Sequence, residues 1–282
     1  MLIAQITDLH IGFVPHDSDE PNRQRLDAVL DLLITGPNRP DMLIVSGDIT
    51  DRGDAESYAR VAAMLQRCPF PVYPCPGNHD ERAAFTAVFP DHVGGDGFLH
   101  YVVERDGLRL IFVDTLETGR HGGGFCELRA MWLKAQLAAD PVMPTVIVMH
   151  HPPFDPGIAW MAESGDSPWI MRFRDAVTGQ PQIKAIWSGH FHRAAATSWN
   201  GITATICPAT AAQLALDLRP IDPALADDRA MIVNDPPGYA LHRWNGADLV
   251  TLFDTAENRT TLARFDQALQ PLVMHLAEER LR

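Results

Sequence analysis

The chain has 282 residues, 46% of them hydrophobic, which is enough for one large domain with a buried core. Its formal net charge of −13 does not favour binding to duplex nucleic acid or to an anionic membrane surface. The apolar runs are too short to cross a bilayer, and the N-terminal sequence lacks the basic segment of a signal peptide, so we expect a cytoplasmic protein.

The first 190 residues or so alternate apolar, strand-forming runs with segments of helical spacing. Strands are predicted at residues 2–7, 42–46, 71–75, 101–103, 108–113, 145–149 and 183–187. Helices are predicted at residues 22–34, 54–67, 80–89 and 127–138. Asp54 is the expected cap of the second helix, and Asp106-Gly107 predicts a hairpin turn. The fourth helix carries an apolar side made of Leu128, Met131, Trp132 and Leu137.

The remainder of the chain favours strands and loops. Strands are predicted at residues 195–199, 202–206, 239–244 and 248–253, and loops at residues 119–124, 152–168 and 216–237. The turns Asn200-Gly201 and Asn245-Gly246 indicate two further hairpins. The alternation of elements predicts a layered α/β protein with mixed sheets.

The C-terminal segment is predicted to be a separate feature. Residues 1–255 are expected to form the catalytic domain, and residues 256–282 a helical tail that acts as a cap or a subunit interface. Residues 262–281 have a helical pattern that Pro271 is expected to interrupt. The apolar residues with helical spacing, which could pack internally or between the chains of a homo-oligomer, are Leu262, Phe265, Leu269 and Leu272.

Polar side chains of the types that bind metals follow five of the predicted strands. The motifs are Asp8-Leu9-His10, Gly47-Asp48, Gly77-Asn78-His79-Asp80, His150-His151 and Gly189-His190-Phe191-His192. Ligands of open α/β sheets gather at the carboxyl ends of strands, so we expect these motifs to lie together. Asp8 and His10 are two residues apart, as are His190 and His192, and this spacing points both side chains of an extended segment to one side.

Each of these residues also has an ordinary interpretation. An aspartate after a strand is usually a cap or turn residue, and a single histidine is usually a hydrogen-bonded group. Taken in this order, however, they offer seven donors, too many for one metal ion and suitable for two ions that share a carboxylate. Oxygen and nitrogen donors without thiolate suit Mn, Fe, Co or Zn.

The ordered motifs resemble those of the calcineurin-like metallophosphoesterase superfamily, whose pattern is D-x-H, G-D, G-N-H-[D/E], H and G-H-x-H. His150-His151-Pro152-Pro153 and the spacing are most similar to the branch of class III cyclic-nucleotide and glycerophosphodiester phosphodiesterases. The resemblance implies an α/β/β/α sandwich of two mixed sheets flanked by helices. It also implies a first metal on Asp8, His10 and His192, a second on Asn78, His150 and His190, and Asp48 as the bridge.

The expected activity is hydrolysis of small phosphodiesters, either cyclic nucleotides such as 3',5'-cAMP or glycerophosphodiesters. The expected mechanism is in-line attack by a metal-bound hydroxide, with His79 orienting the phosphate or protonating the leaving alkoxide. The loop at 152–168 is a candidate rim, where Trp160 either stacks on a base or packs in the core. The candidate substrate contacts are Asn78, His79, His151 and Trp160.

Two alternatives remain open. The run Gly47 to Gly53, with Arg52, also resembles Ser/Thr protein phosphatases, which favours a phosphomonoesterase or a protein phosphatase. Asp80 at a position where those enzymes usually have glutamate, together with the paired His150-His151, weighs against that interpretation, and Arg52 is then an ion-pair partner. A non-catalytic interaction scaffold is disfavoured because the ligand residues and His79 are all present.

Overall fold

A computed structural model describes residues 1–280, and two mixed β-sheets lie face to face with helices against their outer faces. The strands are β1 Leu2–Ile6, β2 Met42–Ser46, β3 Val72–Cys75, β4 Tyr101–Arg105, β5 Leu108–Val113, β6 Thr145–Met149, β7 Ile183–Ser188, β8 Ala195–Trp199, β9 Ile202–Ile206, β10 Gln213–Leu214, β11 Ile232–Val233, β12 Gly238–Trp244 and β13 Leu249–Thr255. The helices are α1 Pro21–Thr35, α2 Ala55–Leu65, α3 Arg82–Val88, α4 Glu127–Ala139, α5 Pro168–Val177 and α6 Gln270–Glu279, with a 3₁₀ turn at Pro90–His92.

Both large sheets contain a set of adjacent parallel strands. The first has the order β13-β12-β1-β2-β3, in which β1, β2 and β3 run parallel, β12 pairs antiparallel with β1, and β13 pairs antiparallel with β12. The second has the order β4-β5-β6-β7-β9-β8, in which β5, β6, β7 and β9 run parallel between two antiparallel edges. The strands β10 and β11 form a separate small ladder. The carboxyl ends of the parallel strands are therefore available on one side for a site.

Alternating side chains divide the core into three layers. On β1, Ile3 faces the space between the sheets, whereas Ala4 and Ile6 face α1 and α2. On β6, Val146 faces the same central space, whereas Ile147 faces α4 and α5. This period of two explains why the central strands are apolar throughout. The expected α/β/β/α sandwich of two mixed sheets is confirmed.

Most predicted elements and their local signals are confirmed. The side chain of Asp54 caps α2 by accepting a hydrogen bond from the backbone nitrogen of Ser57 at 2.9 Å. Between β8 and β9, Asn200 and Gly201 have φ angles of 50° and 78°, the left-handed pair that a tight hairpin requires. Local turn chemistry was sufficient to locate these boundaries.

The apolar side predicted for α4 is confirmed only in part, because Leu137 is buried and Trp132 packs on the core, whereas Leu128 and Met131 do not. Leu128 and Met131 are each 59% exposed, and the buried side instead carries Ala130 and Leu133. The reason is the buried Arg129, which donates to the carbonyl oxygen of Leu116 at 3.0 Å and so turns its own side of the helix inwards. The sequence prediction also missed α5, because Pro168 was read as the end of a loop and instead occupies the first turn of a helix.

The C-terminal tail differs from its predicted form. A helix forms only at α6, and Pro271 lies in its first turn, so the proline begins the helix instead of interrupting it. Leu262 is 95% exposed and Phe265 is 74% exposed, which rules out internal packing of that pattern. Residue 281, the end of the predicted helical pattern, lies outside the described residues. No helix in residues 1–280 is long and apolar enough to span a membrane.

Candidate metal centre

The loops that carry the motifs are joined by backbone hydrogen bonds. The nitrogen of Asp8 donates to the carbonyl oxygen of Gly47 at 3.0 Å, which links the ends of β1 and β2. The nitrogen of Gly189 donates to the carbonyl oxygen of His150 at 3.0 Å, which links the ends of β6 and β7. The two sheets are linked where Asp8 accepts from the backbone nitrogen of His190 at 3.0 Å. These bonds bring the motifs into one site.

The backbone of the site has an unusual conformation. Within residues 1–280, nine non-glycine residues have positive φ, and five of them are predicted ligands: Asp8, His10, Asp48, His190 and His192. Left-handed backbone at such residues is disfavoured by about 1 kcal/mol or more, and it persists where surrounding contacts enforce it. The loops are therefore held in a defined conformation that turns the side chains towards one another.

The motif glycines are needed for close approach. A Cβ atom on Gly77 would lie 2.2 Å from Asp48 Oδ1, and one on Gly189 would lie 2.0 Å from Thr7 Oγ1. A Cβ atom on Gly47 would lie 2.2 Å from the Nδ1 atom of His150. Each glycine thus makes room for a ligand or for its supporting backbone, which explains the glycine before the functional residue in three motifs.

One group of donors consists of Asp8, His10 and His192, whose donor atoms lie within 4.8 Å of one another. The distance from His192 Nε2 to Asp8 Oδ1 is 3.3 Å, and that from His192 Nε2 to His10 Nε2 is 3.1 Å. Three donors converging from β1 and β7 are suited to hold one cation. The structure thus brings together the residues predicted for the first metal.

A second group lies beside the first. His150 Nε2 is 3.2 Å from Asn78 Oδ1 and 3.3 Å from Asp48 Oδ2, and the ring of His190 is centred 5.2 Å from that of His150. Asp48 Oδ2 is also 3.6 Å from His10 Nε2, a member of the first group. Asp48 therefore lies between both groups, where a shared carboxylate would have to be.

Carbonyl oxygens set the orientation of the imidazoles. The Nδ1 atom of His150 donates to Ser46 O at 2.9 Å, and that of His192 donates to Ala212 O at 2.7 Å. These bonds place the proton on Nδ1 and leave the Nε2 lone pair directed at the cluster, the arrangement that metal-binding histidines have.

The pKa values of Asp48 and His190 are shifted towards the forms that bind metals, whereas burial of His150 is outweighed by Asp48, which raises the pKa of His150 to about 9 and gives it a proton that a cation would displace. Burial opposes ionisation of Asp48, but the neighbouring His150 and His10 outweigh it and hold the pKa of Asp48 well below its usual range. Burial, helped by the neighbouring His151 and His150, holds the pKa of His190 well below its usual value, which keeps that imidazole neutral. Ionised carboxylates and neutral imidazoles are the forms that bind cations. Together, the two carboxylates and the nitrogen and amide donors fit two divalent ions.

Further polar residues surround the donors. The backbone nitrogen of His79 donates to Asp48 Oδ1 at 2.9 Å, and its Nδ1 donates to Asp51 O at 2.8 Å. Asp80 accepts from the backbone nitrogens of Ile49 and Gly77 at 3.1 and 2.9 Å, so it fastens the end of β2 to the end of β3. Sequence analysis treated Asp80 only as part of a motif and did not foresee this role.

Two residues singled out by the sequence lie at the margin. The Nε atom of Arg52 is 3.4 Å from Asp51 Oδ2, and its side chain is 58% exposed, which matches the ion-pair interpretation. His151 is buried, with Nδ1 2.8 Å from Thr115 Oγ1 and Nε2 3.2 Å from the carbonyl oxygen of His121. Both ring nitrogens of His151 are therefore engaged within the protein.

A cavity of about 260 Å³ opens above the donors. His79 and His121 border it beside the metal-type residues. Its apolar wall consists of Phe13, Trp160, Met161, Leu214 and Ile232. Its size lies just below the ~300–1,000 Å³ of ordinary ligand pockets, which indicates a small ligand. Sequence analysis missed His121, because a single histidine in a glycine-rich loop has no ligand spacing to mark it.

Known proteins share both the sequence pattern and the fold. A probable glycerophosphodiester phosphodiesterase of Arcobacter nitrofigilis is 30% identical over 249 residues, covering 86% of this chain and 89% of that protein. A probable cyclic nucleotide phosphodiesterase of Rhodopseudomonas palustris is 32% identical over 211 residues, covering 71% of this chain and 73% of that protein. A dimetal phosphatase from Danio rerio has a TM-score of 0.68 at 14% identity, covering 91% of this chain and 96% of that one, which indicates a common fold.

The family pattern spans most of the chain. The model of the calcineurin-like phosphoesterases matches residues 1–194, which include all five motifs and end just after His192. The resemblance drawn from the motifs alone is thereby confirmed. The chain belongs to the calcineurin-like phosphoesterase family.

Proposed function

We propose that the protein is a two-metal phosphodiesterase acting on small diesters. One observation carries the proposal: Asp48 Oδ2 lies within 3.6 Å of a histidine of each donor group, at 3.3 Å from His150 and 3.6 Å from His10. A carboxylate shared in this way suits a pair of ions and has no evident use in a single-metal site. The names of the two relatives, a glycerophosphodiester and a cyclic nucleotide phosphodiesterase, support the same class of substrate.

In this proposal Asp8, His10 and His192 hold one ion, Asn78, His150 and His190 hold the other, and Asp48 belongs to both. The ions, Mn, Fe, Zn or Co, would supply positive charge for the phosphate and a water of lowered pKa for in-line attack. The chain's own part is to fix the donors before substrate binds. The carbonyl oxygens of Ser46 and Ala212 do this by orienting His150 and His192.

His79 is proposed to contact the phosphate. Its Nδ1 is bonded to the carbonyl oxygen of Asp51, so its Nε2 faces the cavity and can meet a phosphate or leaving oxygen. The ring is centred 4.6 Å from that of His10, next to the first donor group. We expect His79→Ala to retain its metals and to lose about 10²-fold in kcat.

The cavity favours a diester over a monoester. Among the described residues that line it, none is lysine or arginine, whereas an apolar wall and five histidines are present, two of which, His79 and His121, lie outside the proposed donors. A monoester dianion would need additional cations beyond the metals, and Arg52 pairs with Asp51 at 3.4 Å. The phosphomonoesterase and protein phosphatase alternatives therefore gain no support from a particular contact.

Within the diesters, the apolar wall favours a substrate with a planar ring. Phe13, Trp160 and Ile232 offer flat or aliphatic surface and few polar partners for a glycerol chain. We therefore propose 3',5'-cyclic nucleotides ahead of glycerophosphodiesters. The direct test is kcat/KM for 3',5'-cAMP against glycerophosphocholine on the Mn²⁺-loaded protein, and a clear preference for the second substrate would contradict it.

Trp160 provides a second test of this preference. Stacking on a base contributes roughly 1–3 kcal/mol. Trp160→Ala is therefore expected to lower kcat/KM for 3',5'-cAMP about 10-fold. Turnover of dimethyl phosphate, which has no ring to stack, should stay near the wild-type value. Trp160→Phe, which retains a ring, should restore much of the loss. An unchanged substrate profile in Trp160→Ala would show that Trp160 only packs.

A homo-oligomer remains part of the proposal. The tail after residue 255 leaves Leu262, Phe265 and Leu272 exposed, and these side chains could lie between subunits. Sedimentation of the full chain would decide, and a monomer at micromolar concentration would end this part of the proposal.

A further inference from the structure

Two imidazoles outside the seven donors border the same cavity. The ring of His79 is centred 4.6 Å from that of His10, in the first donor group. The ring of His121 is centred 4.8 Å from that of His190, in the second group. One histidine that is not needed as a ligand thus lies beside each half of the centre. A phosphodiester on the donors would lie between the two.

His121 lies where the polar donors give way to the apolar wall. Its Nδ1 is 3.4 Å from the Asn78 amide nitrogen, and its Nε2 is 3.1 Å from the sulfur of Met161. Met161 and Trp160 form part of the wall that would enclose the ester group. The His121 ring is therefore placed at the bond between the phosphate and the group that leaves.

The loop that carries His121 is held by hydrogen bonds through His151. Thr115 Oγ1 accepts from the backbone nitrogen of His151 at 3.3 Å, so its hydroxyl proton is free to point to His151 Nδ1 at 2.8 Å. The ring proton of His151 is then on Nε2, which donates to the carbonyl oxygen of His121 at 3.2 Å. Gly123 packs on the same side chain, since an added Cβ there would lie 3.0 Å from His151 Cβ and 3.1 Å from its Cγ. A buried, fully bonded side chain thus fixes the backbone of His121.

We propose that His121 is a catalytic residue that donates a hydrogen bond to the leaving oxygen of the diester, and that Thr115 and His151 are positioning residues for it. The inference rests on the proposed phosphodiesterase activity. The bond strengthens as negative charge develops on the leaving oxygen, so it favours the transition state over the bound substrate. His79 on the opposite side is left to contact the phosphate.

The test compares His121→Ala with the control His275→Ala, a histidine exposed on α6. Both are loaded with Mn²⁺, and bound metal is counted. We expect His121→Ala to keep its metals and to lose about 10- to 100-fold in kcat/KM for 3',5'-cAMP, the range for a hydrogen bond to a developing charge. The loss should be several-fold smaller with bis(p-nitrophenyl) phosphate, whose leaving group needs less stabilisation. His121→Gln, which keeps an N–H donor, should recover part of the activity.

A double-mutant cycle tests whether Thr115 and His151 position His121. Thr115→Val removes the hydroxyl and keeps the shape, and we expect it to lower kcat/KM about 3-fold in the original protein. In the His121→Ala background it should have no further effect. A merely structural role for Thr115 would produce the same loss in both backgrounds, and that outcome would overturn the positioning role.

Three results would overturn the role of His121: activity equal to that of His275→Ala, an equal loss with both substrates, or loss of bound metal. If the wild-type protein binds two metals but hydrolyses no diester, the proposed function is wrong, and this result alone does not decide the role of His121. In that case calorimetry with AMP decides on His121, because the same bond would be made to the product. About 10-fold weaker AMP binding by His121→Ala supports the contact, and equal binding overturns it.

Discussion

The loops at the strand ends and the tail after β13 both lack regular structure for much of their length, yet they are held in opposite ways. Asp8, Asp48 and His190 are 0%, 2% and 5% exposed, and their backbones are joined to neighbouring strand ends. Leu262 and Phe265 in the tail are 95% and 74% exposed to solvent. Rigidity in this protein therefore comes from cross-links between strand ends, from glycines that admit close contact and from burial.

The rigidity of the strand-end loops matters for catalysis. A two-metal site works when its donors are fixed before the ions and substrate arrive. The left-handed residues at the strand ends are disfavoured locally, and the two sheets together hold them in place. The start of the tail is held by the bond from Ala256 to Pro237 and by the pairing of Arg259 with Asp254, whereas the side chains of residues 260–280 are almost all exposed and are available for contacts with another molecule.

The change expected to damage the site most is loss of the Asp48 carboxylate, which we propose is shared by two metal ions. Asp48→Asn keeps the shape and removes the charge that lies between His10 and His150. We expect kcat/KM for a diester to fall about 10³-fold or more, with fewer than two metals per chain by elemental analysis. Asp175→Asn, exposed on α5, is the matched control and should behave like the original protein. Full activity in Asp48→Asn would remove the bridging role.

A methyl group at a motif glycine tests the cross-links. Gly189→Ala would place Cβ 2.0 Å from Thr7 Oγ1 and 2.9 Å from Asp8 Oδ2, so β1 and β7 would have to separate. The free energy of unfolding should fall by roughly 3 kcal/mol, as for overpacking of a tight core. Gly165→Ala is the control, since no atom lies within 4 Å of its added Cβ. Equal urea midpoints for the two variants would contradict the account.

The stability of the first sheet, from which the tail leaves, is expected to depend on pH through one buried histidine. His242 on β12 is fully buried, accepts from Thr251 and donates to Gln5, and burial lowers its pKa to about 3. Because the unfolded chain binds this proton near pH 6.5, its contribution to stability is present above that pH and is lost as pH falls towards 3. Between pH 6.5 and 5 we expect a loss of about 2 kcal/mol from this group.

This pH effect is measured by urea unfolding of metal-free protein against His242→Gln. The variant lacks the titrating ring, so its stability should fall less steeply over the same interval. Parallel pH profiles of the two proteins would show that His242 does not control this part of the dependence.

The smallest expected effect is removal of the tail. Ending the chain after Asn258 deletes residues that are almost all exposed, together with the surface ion pair from Arg259 to Asp254, so the free energy of unfolding should change by less than about 1 kcal/mol. If the tail joins subunits, sedimentation should show a smaller assembly. An unchanged assembly would exclude the tail as an interface, and a large loss of stability would show internal packing.

Sequence reasoning succeeded where the signal is local. Short apolar, strand-forming runs located the central strands, and Asn200-Gly201 located a hairpin. The ligand-type residues could be grouped because all of them follow strands whose carboxyl ends must meet in a layered fold.

Sequence reasoning failed where the placement of a residue depends on a partner that is distant in the chain. The buried side of α4 depends on Arg129, which lies over the ring of Phe98 and is also 3.1 Å from Glu117. The role that we propose for His121 depends on a bond from His151, thirty residues later in the chain. Neither relation leaves a periodic trace in the sequence, and the left-handed backbone of the ligands follows only from the assembled strand ends.

The most direct test of the central claim is turnover of bis(p-nitrophenyl) phosphate against p-nitrophenyl phosphate by metal-stripped protein, before and after addition of Mn²⁺. We expect negligible turnover before addition, two bound ions per chain after it, and a strong preference for the diester. Preference for the monoester, or turnover that does not depend on metal, would contradict that claim.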